Sequence, residues 1–452
     1  MINPTRMLQG LKLSGKLLRL YKAPQLYRPF LSEAYQCREA WDKRFNSELL
    51  NQISPIDFFI ELDQKFQADN PVHAVDMDIF ASIIKDESHA PEIADLLHKF
   101  RMTKQTSFTL DSMHHAVVKY FLSIGKANEV VSMLNDRLNY GLFCDNFEYN
   151  LLMDHFIKQK DFASAAKVST YMMLQESFEH PISNSLAIYS CFKYLEDPDT
   201  WQEVDPKSQV EEPKEEIKVR VRYLRNPYFD DHFDLWQPSD LVGKTLWWIG
   251  ATLDNALGRS CQLRGLILYK KYEEAISLIQ KWMQSGIKEI VYKDVLPLIK
   301  KDVPEIFRED ATDKTKELQL LLMDLENADL QQGCLIDDIE SMIKKAVADR
   351  EQDDISKQIE LYSVWEEKRI QILNEELEKI NKLKRLEVVK EMKKDLEDKE
   401  QLLTFFENEE SIELAIEQKL QMEKERYGDE MQNIQDSDEN YISPENVKRM
   451  KR

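Results

Sequence analysis

In GLFCDNFEYNLLMDHFIKQKDFASAAKVSTYMM, residues 141–173, the apolar side chains Phe147, Leu151, Leu152 and Phe156 fall at helical spacing. A polar break, KQKD at 158–161, follows, and a second run begins with Phe162, Ala165, Ala166, Val168 and Met172. Steps of three and four place each set on one side of a helix, so the pattern predicts two short helices folded back on each other, with alanines where they cross.

The same pattern recurs at an interval of 35 residues. SMHHAVVKYFLSIGKANEVVSML sets Val117, Phe121, Gly125 and Val130 where Leu152, Phe156, Lys160 and Ala165 stand one period later. DIFASIIKDESHAPEIADLLHKF upstream is a worn third copy, and HPISNSLAIYSCFKYL opens a fourth. After an insertion, VGKTLWWIGATLDNALGRSCQLRGLILYKKYEEAISLIQKWMQSGI again reads as helix, break and helix. A fixed period in this range denotes hairpins that stack because none can bury its apolar face alone. The expected fold is all-α: an α-solenoid of helical hairpins followed by a long charged C-terminal helical arm.

For the arm, no proline lies between Pro304 and Pro444 and no glycine between Gly333 and Gly428, so little there interrupts a helix. LENADLQQGCLIDDIESMIKK reads as one helix, and a longer one carries Ile370, Leu373, Leu377, Ile380, Leu383, Leu386, Val389, Met392 and Leu396. Steps mostly of three make this stripe drift around the helix, which suits a helix lying along a partner better than a free coiled coil.

Charge changes the picture at both ends. The formal charge of the whole chain is −21, yet Arg6, Lys12, Lys16, Arg19, Lys22 and Arg28 all precede the first acid, Glu33. With Leu8, Leu11, Leu17, Leu18 and Tyr21 on one side of a possible helix, this is the composition of a mitochondrial transit peptide. The expected organisation is a leader over 1–32, repeats over 33–196, an insertion over 197–240, further repeats over 241–304, the acidic arm over 305–427 and a disordered tail over 428–452. Cys37, Cys144, Cys191, Cys261 and Cys334 are spread singly, against a zinc ribbon or a disulfide framework.

The hairpin at 141–173 resembles the pentatricopeptide repeat. Gly141, Asp145, Tyr149, Asn150, Leu152 and Ala165 match its usual run, whereas Cys144 replaces a proline, Glu148 a threonine and Lys160 a glycine. Together with the basic leader, PFLSEAY at 29–35, Trp41 and the acidic helical C-terminus, the chain resembles the pentatricopeptide-type ribosomal-protein family of the mitochondrial small subunit, the one numbered twenty-seven. The resemblance implies a structural component of that subunit in the mitochondrial matrix, with small-subunit rRNA and basic ribosomal proteins as partners. It implies no membrane and no small-molecule substrate. The alternative is a free mitochondrial repeat protein acting in RNA processing or translation.

In RNA-reading members of the repeat class, one side chain near the start of the first helix and one at the end of the repeat contact a base. By position those pairs are His115 with Asp145 and Asn150 with His180. Asn and Asp carry the donors and acceptors that base edges need, but they also cap helices and form turns. Phosphate affinity requires Lys and Arg. The insertion segment KVRVRYLR alternates, with Lys218, Arg220 and Arg222 on one face of an extended strand and Arg225 beyond it, so that face could lie on rRNA or pair with acids nearby.

Catalytic motifs are wanting. PSDLVGKT at 238–245 ends like a phosphate-binding loop, but Pro238 occupies the place of the first glycine. Asp230, Asp231, His232 and Asp234 could hold a metal, though a solvated turn explains them equally. The sequence offers no reason to expect an enzyme or a cofactor.

Overall fold

The computed structural model describes residues 30–198, 201, 235–304, 313–404 and 409–423. The helices of eight or more residues are, in order, α1 Pro55–Gln67, α2 Ala74–Ile83, α3 Ala90–Arg101, α4 Asp111–Ser123, α5 Ala127–Asn135, α6 Asn146–Gln159, α7 Phe162–Leu174 and α8 Pro181–Tyr194. Beyond the insertion lie α9 Pro238–Ala251, α10 Ala256–Leu268, α11 Tyr272–Gln284, α12 Val295–Asp302, α13 Asp313–Glu326 and α14 Leu335–Leu403. The fold is all-α. Among the described residues the β-type pairing is confined to an isolated parallel bridge, Tyr292 with Gln331.

The period is visible in the helix starts. Asp111, Asn146 and Pro181 open α4, α6 and α8 at intervals of 35 residues. Each interval holds a first helix, a tight reversal and a second helix. First helices pack on first helices, α2 on α4 and α4 on α6, while the second helices α5 and α7 meet in the same way. The reversal needs a left-handed residue, and Gly125 supplies it with φ +76°. At the equivalent places Lys160 and Lys270 adopt φ +63° and +62°. A side chain costs about 1–2 kcal/mol in that conformation, so the hairpin packing overrides local preference at both lysines.

Burial explains the spacing. Leu152, Ala165, Ala166, Val168 and Met172 are fully enclosed between α6, α7 and their neighbours. α6 starts where it does because Asp145 caps it: its Oδ1 accepts from the N–H of Phe147 (2.8 Å) and Glu148 (3.0 Å), while Glu148 Oε2 accepts from the N–H of Asp145 (2.7 Å). This reciprocal capping box satisfies helix-end donors that would otherwise be buried without partners.

PSDLVGKT is the start of a helix. Pro238 occupies the first turn of α9, and Gly243 faces Gly265 of α10 so closely that a Cβ on Gly265 would lie 2.5 Å from the Gly243 carbonyl oxygen. The glycines of this segment therefore serve the close approach of two helices.

The arm differs from expectation at its root. LENADLQQGCLIDDIESMIKK does not form one helix: α13 ends at Glu326, and α14 begins at Leu335. Between them the backbone pairs sideways, with the Ile290 N–H donating to Asp329 O (3.0 Å) and the Gln331 N–H to Val291 O (3.0 Å). Gly333, at φ +153°, then turns the chain into α14. The chain divides into two compact units, Met1–Arg369 and Ile370–Arg452. The first part of α14 thus belongs to the unit that contains the hairpins.

Candidate functional site

Within the first unit, α14 meets the first helices of successive hairpins through polar and aromatic side chains. His180, the N-cap residue of α8, places Nε2 3.1 Å from Asp354 Oδ1. Tyr35 Oη donates to Asp354 Oδ2 at 3.2 Å, and Asn150 Nδ2 of α6 donates to Tyr35 Oη at 2.9 Å. Two turns along, the Tyr362 hydroxyl lies 3.0 Å from His115 Nε2 of α4. Finally Arg369 Nε donates to Asp78 Oδ2 of α2 at 2.6 Å, and its Nη2 donates to Ser82 Oγ at 3.2 Å. From Asp354 to Arg369 is about 22 Å of helix at 1.5 Å per residue, so one straight element ties α8, α6, α4 and α2 in turn.

The middle of this seam is aromatic. The His115 ring lies 5.0 Å from Trp41, 5.3 Å from Tyr362 and 5.2 Å from Trp365, centroid to centroid. His115 is fully buried, and burial, with Lys119 adding to it, pushes its imidazole down to about 3. The ring is therefore neutral. Its Nδ1 faces the carboxylate of Glu148, which fixes the proton there and leaves Nε2 to accept from the Tyr362 hydroxyl. Asp145 is raised to about 8, first by burial and then by the neighbouring Glu148. Two carboxyls this close share a cost of ionisation that the capping N–H groups only partly offset.

The four residues singled out for base contact, His115, Asp145, Asn150 and His180, are thus brought to one region, and each has a partner within the chain. His115 and Asn150 are wholly enclosed. The other four, Lys218, Arg220, Arg222 and Arg225, lie outside the described residues, as does the cluster Asp230, Asp231, His232 and Asp234. Sequence reasoning missed Asp78, Tyr362, Trp365 and Arg369. The available signal was a pair of aromatics, Tyr362 and Trp365, in an otherwise charged helix, where a solvated arm would have no use for them.

In the second unit the side chains of α14 are open to solvent: Leu377 is 56% exposed, Leu383 60% and Leu396 64%. The apolar stripe expected of the arm is present and uncovered along this unit. No helix among the described residues is long and apolar enough to cross a membrane.

A helical protein whose polar chemistry consists of caps and enclosed ties, and which carries an exposed helical stripe, belongs to the class of scaffolding and binding proteins. The family model of mitochondrial 28S ribosomal protein S27 matches residues 5–395. The chain belongs to that family, and it is accordingly a protein of the mitochondrial small ribosomal subunit.

Proposed function

We propose that the chain is a structural component that docks on rRNA and on neighbouring basic proteins of the small subunit, and serves mitochondrial translation from there. Its membership of the S27 family carries this reading. The hairpins at 35-residue intervals support a pentatricopeptide-type solenoid as its body. Residues 1–32 act as a matrix-targeting leader, which puts the mature protein in the matrix with the ribosome. The uncovered stripe of the second unit, set among the acids of the arm, suits a basic ribosomal neighbour.

His115, Asp145, Asn150 and His180 hold α14 in this reading, because each already uses its hydrogen-bonding capacity within the chain. Phosphate contact then falls to the basic face of Lys218, Arg220, Arg222 and Arg225. Reversing the charge at Arg220→Glu and Arg222→Glu together is expected to reduce incorporation into the small subunit by about tenfold, since each reversal removes an attraction to phosphate and adds a repulsion. The check is sedimentation of the tagged double variant with the subunit. Sedimentation equal to wild type removes these residues from the interface.

A further inference from the structure

A cavity of about 710 Å³ lies in the first unit, outside the seam's hydrogen-bonded ties. Its walls come from the segment around Tyr35 to Phe45, from Lys85 after α2, from the second half of α4 and from α6. That volume falls in the range of roughly 300–1,000 Å³ typical of pockets for single organic ligands.

The charge of the cavity is opposite to that of the chain. Arg38, Arg44, Lys85, Lys119 and Lys158 line it against Asp42 and Asp154. Both acids are engaged: Asp42 pairs with Arg44 at 3.2 Å and Asp154 with Lys158 at 2.5 Å. Asp154 also accepts from the Phe30 N–H at 3.2 Å. The remaining three cations form no ion pair among the described residues. Arg38 Nε donates to Gln36 Oε1 (2.6 Å), Lys119 donates to the Gln36 carbonyl oxygen, and the Lys85 ammonium rests 3.4 Å over the Phe45 ring. Burial pulls the Lys119 ammonium down to about 8, with Arg38 and Arg44 acting the same way, as befits a cation short of counter-ions. A concave patch of unmatched cations in a chain of −21 focuses its potential on an anion.

The cavity also offers a planar wall. The Arg44 guanidinium lies 4.1 Å from the Trp41 ring centroid and 3.8 Å from that of Phe45. Unstacked bases rest on aromatic rings and guanidinium planes. An acidic peptide would use the cations and leave this wall idle, whereas a nucleotide uses both.

We propose that the cavity receives an unstacked nucleotide of an RNA strand, its phosphate held by Arg38, Lys85 and Lys119 and its base laid along the wall of Trp41, Arg44 and Phe45. The inference rests on the rRNA-docking reading above and gives it a second, enclosed contact. It owes nothing to the residues assigned to the insertion.

The test uses the full chain and a short fluorescein-labelled single-stranded oligoribonucleotide of mixed sequence, read by fluorescence anisotropy across a salt series. Arg38→Gln with Lys85→Gln changes two exposed side chains, so the fold is retained, and Lys382→Gln with Lys384→Gln on the arm is the control. The cavity variant is expected to bind about tenfold more weakly, with a salt slope shallower by about 0.7 for each phosphate no longer neutralised, while the control matches wild type. Equal binding by the cavity variant overturns the proposal, as does absence of RNA binding by the wild type. Displacement of the probe by AMP or by polyglutamate as readily as by unlabelled oligonucleotide overturns it too, since the site would then serve a free nucleotide or an acidic protein. Subunit sedimentation of the cavity variant is scored separately. Normal incorporation of a wild type whose RNA binding ignores the cavity leaves docking intact and removes only this site.

Discussion

Replacing Arg369 by Met is expected to destabilise the first unit by about 3–5 kcal/mol, the usual consequence of removing one partner of a buried ion pair. Asp78 is completely buried, and Arg369 is 5% exposed. Without the guanidinium, the Asp78 carboxylate keeps only the Ser112 hydroxyl, whose Oγ donates to its Oδ1 at 2.6 Å. Taking Asp78 away as well, as Asp78→Leu in the same chain, should recover most of the loss, because an apolar replacement of both partners leaves no orphaned charge. Urea unfolding followed by circular dichroism gives both numbers. A single variant that loses less than about 1 kcal/mol would mean that this end of α14 is not held to α2.

Gly265→Val is expected to cost about 3 kcal/mol or more, at the upper end of what overpacking does. The new Cβ would meet the Gly243 carbonyl oxygen and the Trp247 nitrogen, both at 2.5 Å. Both are backbone atoms of a helix, so neither can rotate aside. The helices must separate. Gly243 and Gly250, where a Cβ would lie 2.8 Å and 2.7 Å from backbone oxygens of α10, are then drawn away from that helix too. Thermal melting of the variant checks the size of the effect. A transition within a degree or two of wild type would contradict the close crossing of α9 and α10.

The hairpins were legible because they repeat. Apolar steps of three and four, broken by KQKD and recurring after 35 residues, contain enough copies for tertiary packing and local pattern to agree, and the helix starts at Asp111, Asn146 and Pro181 keep that interval. Asp145 followed by Glu148 is a capping box on sequence grounds alone, although the repeat resemblance directs attention to Asp145 as a base contact. The seam could not be read in this way. Tyr362 meets His115 across 247 positions of sequence, and a periodicity argument sees only the helix it is applied to. The break between α13 and α14 was hidden for a similar reason: apolar spacing continues through Leu330 and Leu335, but the backbone of Asp329 to Gln331 is claimed by Ile290 to Lys293. Gly243 looks in sequence like part of a phosphate loop, whereas its neighbour across the helix pair, Gly265, is what gives it a purpose.

Hydrogen-bonding capacity used inside a molecule is not available to a ligand. By that argument the enclosed polar residues of α4 and α6 organise this chain, and what it offers to the ribosome is the uncovered stripe and the concentrated cations. Fractionating a mitochondrial lysate on a sucrose gradient and following the endogenous protein tests that account most directly. Co-migration with the small subunit, persisting in moderate salt, is the predicted result. Recovery of the protein entirely in the light fractions, with the subunit itself intact, would contradict it.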